Sequence, residues 1–141
     1  MAVDRSISIL VVGDCAMIVR VVLRLLRHLG FIDIHEINDA PTALVRMRIQ
    51  RCGFVVLDWH NKSMPGPDFL RHVRTDRALS STPIIVMIDK YTNEEVSLAK
   101  RAGADNYIVK PFDAPTLKAK IETIFSRNTA SMQVRISGVG R

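Results

Sequence analysis

Cysteine is scarce in this chain. There are two, Cys15 and Cys52, far apart and in no CxxC or other metal-ligand pattern, so both read as reduced thiols rather than as a disulfide or a zinc site. Long apolar runs are missing too, and none approaches the length needed to span a bilayer. The N-terminal apolar stretch is short, follows Asp4, and lacks both a basic region before it and a small-residue cleavage site after it. It makes a poor signal peptide, and the expected location is the cytoplasm, with no membrane partner. No helix-turn-helix, zinc-finger or RNA-binding signature is present, so direct DNA binding is not expected. His28, His35 and His72 fall in different segments without ligand spacing.

What is present is enough for one domain. The 141 residues are 48% hydrophobic, which supplies a proper core and excludes a disordered chain. The net charge is +6, with arginine commoner than lysine. That balance suits anionic ligands or acidic partners, and equally a solvated basic surface. Residues 127–141 carry Arg127, Arg135 and Arg141 and no acid. We divide the chain into a domain over 1–126 and a basic C-terminal extension over 127–141. Two readings stay open for the extension: no fixed structure, or an added strand through Met132 to Ile136.

Five short apolar runs alternate with helix-like stretches. They are Ile7 to Val12, the more polar Ile32 to Ile37, Phe54 to Leu57, Ile84 to Ile88 and Asn106 to Val109. Continuous β-branched runs of this length suit strands buried on both faces of a parallel sheet, with the polar second run at an edge. Between them, Ile18, Val22, Leu25 and Leu29 form one helical stripe, with Arg20, Arg24 and Arg27 opposite. Gly30 sits where a helix-ending glycine belongs. Asp39 before Pro41, Asn93 before Glu94 and Glu95, and Asp113 before Pro115 read as helix starts. The order is (βα)₅. It predicts a doubly wound, five-stranded parallel sheet in a three-layer α/β/α sandwich of the flavodoxin type, with its ligand site at the carboxyl ends of the strands.

The residues at those ends carry the chemistry. Strand one runs into Asp14, strand three into Asp58, strand four into Ile88-Asp89 and strand five into Lys110-Pro111. Two carboxylates with a carbonyl and water make a hard oxygen site suited to Mg²⁺. A lysine beside them offsets their repulsion and can hold a phosphoryl oxygen. A carboxylate so placed can attack phosphorus.

At these residues the sequence resembles the CheY-like receiver domains of two-component response regulators. The resemblance covers roughly Ile7 to Phe125. It rests on the apolar run into Asp14, Val55-Val56-Leu57-Asp58-Trp59, Met64-Pro65-Gly66, Ala102-Gly103-Ala104 and Asn106 to Phe112. It implies that Asp58 is the phosphoacceptor and Lys110 the lysine that contacts the phosphoryl group. It also implies that Asp14, Asp58 and the backbone carbonyl of His60 hold Mg²⁺. Lys110-Pro111 would be a cis peptide, and Tyr107 the aromatic residue whose rotation reports activation. The partners implied are a histidine kinase or phosphotransfer protein, and a downstream target such as the flagellar motor. Asp58-Trp59 points to the chemotaxis branch, and a signalling role rather than an enzymatic one follows.

The sequence also departs from that pattern. Gly13 stands where the first of two adjacent acids is usual, which weakens the expected metal site. Ile88 stands where a Ser or Thr hydroxyl normally draws the loop toward the phosphoryl group. Asp89 replaces a small residue and would repel that group unless it points away or pairs with Lys110. Lys62 could return some positive charge. Two functions follow: a phospho-receiver signalling through the α4-β5-α5 face, or a phosphorylation-independent binding module. One form of the second is implied by a similarity to CheY-like proteins whose arginine-bearing C-terminal extension binds cyclic di-GMP: here Arg127, Arg135 and Arg141 would bind it, and arginine suits phosphate and stacks on guanine.

Overall fold

The computed structural model describes residues 3–136, with side chains through 126. The elements run β1 (Ser8–Val12), α1 (Ala16–His28), β2 (Asp33–Ile37), α2 (Ala40–Ile49), β3 (Phe54–Asp58), α3 (Gly66–Thr75), β4 (Ile84–Ile88), α4 (Asn93–Ala102), β5 (Asn106–Val109) and α5 (Ala114–Ile136). All strand pairings are parallel, in the order β2-β1-β3-β4-β5. The polar second strand is at an edge, as its sequence implied, and the two most apolar strands flank or occupy the centre. The (βα)₅ sandwich is therefore as expected.

Alternation along the strands divides the core in two. Leu10, Val12, Val55, Leu57, Ile84, Val86 and Ile88 pack on α2, α3 and α4. Ile9, Val11, Phe54, Val56, Ile85, Met87 and Ile108 pack on α1 and α5. Every residue of β3 and β4 is buried, which is why their sequences read as unbroken apolar runs. Ile32 lies before β2 and is exposed. On α1 the buried residues are Val19, Val22 and Leu26. The stripe read from sequence is thus rotated: Ile18, Leu25 and Leu29 are its half-buried flank, while Arg20, Arg24 and Arg27 are exposed as expected.

Helix ends follow local chemistry. The Asp39 carboxylate accepts from the Thr42 N–H at 2.8 Å, and Asp113 from the Thr116 N–H at 2.9 Å. The α4 cap is Thr92, one residue before the expected Asn93. Gly30 and Gly103 have φ of +99° and +106°, and the amides of Gly30 and Phe31 bond to Arg27 and Leu26 carbonyls, closing α1.

The extension takes neither open reading in its described part. Met132 to Ile136 continues α5 and adds no strand. No glycine or proline interrupts the sequence between Thr116 and Ser137, so nothing stops the helix once it has started. Arg127 and Arg135 lie on this helix where the backbone alone is described, and Arg141 lies outside the described residues.

At the amino ends of β4 and β5, the Arg74 guanidinium gathers four partners. It donates to the carbonyls of Gly103, Ser80 and Thr82 and pairs with Asp105 at 2.9 Å. At the opposite end, the backbone of Gly66 lies against the Trp59 indole, where a β-carbon would overlap the ring. We expect Gly66→Ala to lower stability by about 1–3 kcal/mol, as overpacking does, measured by urea unfolding; an unchanged midpoint would show that this contact is not tight.

Candidate functional site

Parallel strands end together, so the residues after β1, β3, β4 and β5 meet at one edge of the sheet. Asp58 closes β3 and is 5% exposed. Its Oδ1 accepts from Lys110 Nζ at 3.0 Å and from the His60 N–H at 3.3 Å. Lys110 follows β5 and is fixed by its own amide bonding to the Ile88 carbonyl at 2.8 Å. The Lys110-Pro111 peptide is cis, as the resemblance implied. Lys110 also reaches Asp89 Oδ1 at 2.8 Å. One ammonium therefore serves two carboxylates, and Asp89 pairs with it rather than pointing away.

The charges respond accordingly. Burial pulls Lys110 down, but hydrogen bonds to Asp89 and Asp58 outweigh it, so its pKa stands above the ordinary lysine value of 10.5. The Lys110 hydrogen bond holds the Asp89 carboxyl below the usual 3.8.

Asp14 follows β1 and is exposed. Its Oδ2 accepts from the Lys62 N–H and, at 3.4 Å, from the Ser63 N–H, and its Oδ1 accepts from the Ser63 hydroxyl at 3.1 Å. Lys62 thus acts here through its backbone, with its side chain exposed. Asn61 makes the second link: its Oδ1 accepts from the Asp14 N–H at 3.1 Å, and its Nδ2 donates to the Asp58 carbonyl. Asn61 and Asp58 are the two buried polar residues among those described. Ser63 was not singled out from the sequence, and Asn61 only as part of an unusual polar loop after Asp58, with no role given. Their signal was composition alone, a polar run after a buried strand, and it does not say which polar group turns inward.

Gly13 has a spatial consequence. A β-carbon there would sit 3.2 Å from both Asp58 Cβ and Val19 Cγ2, so any larger residue requires these neighbours to shift. Ile88 is fully buried in the α2–α4 side of the core and offers no hydroxyl. Tyr107 is half-buried with its ring 6.1 Å from Tyr91 and 4.2 Å from Lys120 Nζ. Burial and the neighbouring Tyr91 raise its phenol above 10.0. His60 Nε2 lies 3.3 Å from Glu95 on α4.

The donors suit a hard divalent cation in kind: Asp58, Asp14 and the His60 carbonyl are all oxygen. Two carboxylates and one carbonyl leave the remaining places of an octahedral ion to water. No cluster of three or more His, Cys, Asp or Glu ligands forms among the described residues, and Asp14 is already engaged by the 62–63 backbone.

The fold and this acid–lysine edge define a signalling receiver. The sequence pattern of the response regulator receiver domain matches residues 9–122. Chemotaxis protein CheY-3 of Vibrio cholerae is 39% identical over 124 residues, covering 88% of this chain and 95% of that protein. Chemotaxis protein CheY of Pseudomonas aeruginosa is 39% identical over 120 residues, covering 85% and 97%. The crystal structure of Vibrio cholerae CheY4 superposes with a TM-score of 0.78 at 25% identity, covering 84% of this chain and 98% of that one. The chain belongs to the response regulator receiver family and is a CheY-like response regulator of two-component signalling. No helix among the described residues is long and apolar enough to cross a membrane.

Two outcomes are expected. Asn61→Ala strips the Asp58 carbonyl and the Asp14 amide of a shared buried partner, and should cost about 1–3 kcal/mol in urea unfolding. The Asp89 carboxyl, being held low, should contribute stability above its ordinary pKa of 3.8 and lose it as the pH falls through the lowered folded value. Carboxyl-carbon NMR titration reads this directly, and Asp89 titrating at or above 3.8 contradicts it.

Proposed function

We infer that the chain accepts a phosphoryl group on Asp58 from a histidine kinase or phosphotransfer protein and signals by protein contact through α4, β5 and α5, in chemotaxis or motility. The supporting observation is a buried carboxylate at the end of the central strand with Lys110 Nζ 3.0 Å from it. In the transfer, an Asp58 oxygen forms the new bond to phosphorus while the donor's P–N bond breaks. The electron pair returns to the imidazole nitrogen, which takes up a proton. Lys110 offsets the charge of the phosphoryl oxygens, and the His60 N–H donates into the same space. Mg²⁺, when bound, neutralises phosphoryl charge. Asp58, Asp14 and the His60 carbonyl would hold it, weakly, because Gly13 supplies no carboxylate. We assign residues 1–126 to this receiver in the cytoplasm, acting as a signalling protein rather than an enzyme.

A second reading is favoured by Gly13, which supplies no carboxylate, by Ile88, which supplies no hydroxyl, and by Asp89, which already pairs with Lys110. In that reading the protein is a binding module, with the 127–141 extension taking cyclic di-GMP through Arg127, Arg135 and Arg141.

Incubation with acetyl phosphate and Mg²⁺, followed by intact-mass measurement, separates the two. The expected result is one added phosphoryl group, absent in Asp58→Asn. No added mass in either protein, with heat on titrating cyclic di-GMP that Arg127, Arg135 and Arg141 substitutions to alanine remove, establishes the second.

A further inference from the structure

We propose that Asp89 is a positioning residue that competes with Asp58 for Lys110, so that phosphorylation releases Asp89, lets the 89–92 loop shift outward and thereby changes how Tyr91 meets Tyr107. This rests on Asp58 being the phosphoacceptor. It supplies a coupling that the pocket otherwise lacks, because Ile88 is apolar and fully buried and has no hydroxyl to draw the loop inward.

The geometry is that of a shared cation. Lys110 Nζ stands 3.0 Å from Asp58 and 2.8 Å from Asp89. The lysine is hemmed in, with 16% of its side chain exposed, while Asp89 has 58% of its side chain exposed. The lysine is therefore the fixed member and Asp89 the free one. A phosphoryl group on Asp58 brings additional negative charge and three acceptor oxygens to a point already in reach of Lys110. It takes up the ammonium and repels the nearby carboxylate. Asp89 leaves toward solvent, where its charge is rehydrated at little cost.

That departure has a path outward. Asp89 begins the loop that continues through Lys90 and Tyr91 to the α4 cap at Thr92. Tyr91 already meets the ring of Tyr107 on β5, with centroids 6.1 Å apart. His60, beside Asp58, also meets Glu95 at 3.3 Å in the first turn of α4. The loop is thus tied at one end to the lysine and at the other to the aromatic pair. The direction differs from a hydroxyl drawn inward: here the loop is held inward at rest and let go on phosphorylation.

The test compares the full chain with Asp89→Asn, which keeps the shape and removes the charge. In unphosphorylated protein, Asp89→Asn should shift the Asp58 carboxyl and Lys110 ζ resonances, and Asp58→Asn should shift Asp89; no reciprocal shift overturns the competition. With acetyl phosphate and Mg²⁺, Asp89→Asn should load about two- to fivefold faster by intact mass, the scale of removing one screened charge. The amide shifts of Tyr91 and Tyr107 that loading produces in the wild type should be lost in the loaded variant. Full-sized shifts there in loaded Asp89→Asn overturn the proposal. A wild-type chain whose mass never changes removes the phosphoacceptor reading itself and this coupling with it, and is distinguished by that unchanged mass.

Discussion

Everything at the functional edge turns on one ammonium group between two carboxylates. Asp58 is buried, and a buried carboxylate needs a cation close by. Lys110 meets that need at 3.0 Å, and it can do so because β4 and β5 pair in parallel and end side by side. The Ile88 carbonyl fixes the Lys110 backbone. The fold is thus the instrument that holds the cation in place, and the remaining polar groups arrange themselves around it.

A second constraint acts on the other carboxylate. Asp14 closes a small circuit in which Asn61 bonds both to its amide and to the Asp58 carbonyl, while the Lys62 and Ser63 amides bond to its carboxylate. The loop after β3 is therefore organised by the end of β1. Gly13 fits the same picture. Its missing side chain removes a ligand and also lets the Asp58 and Val19 side chains close on the β1 backbone.

The fold was almost wholly legible in the sequence, since the inner strands are apolar runs too short to be helices and the more polar β2 lies at an edge. Asp14, Asp58 and Lys110 were legible for the same reason: they are the first polar residues after buried strands. Three things were not. The Asn61 and Ser63 contacts depend on how a polar loop folds back, which no periodicity encodes. Which of the two courses open to Asp89 it takes, pointing away or pairing with Lys110, depends on a distance between two strand ends remote in sequence. The course of Met132 to Ile136 depends on whether a helix already running is stopped, and a β-branched, arginine-bearing segment gives no stop signal. On α1 the stripe was displaced because Ile18, Leu25 and Leu29 flank the buried line of Val19, Val22 and Leu26 with residues just as apolar.

The Arg74 cluster gives the molecule a mechanical asymmetry. Its four contacts bind the end of α3, the loop before β4 and the turn before β5 into one rigid base. At the other end, the segments after β4 and β5 meet chiefly through ion pairs and ring contacts that can be exchanged. The β4–β5 half of the sheet is thus held by a single four-way cluster at its amino ends and by the Lys110 ion pairs and the tyrosine pair at its carboxyl ends. A charge added at Asp58, as we propose, would then be felt first in the loops that carry the surface rather than in the core beneath them.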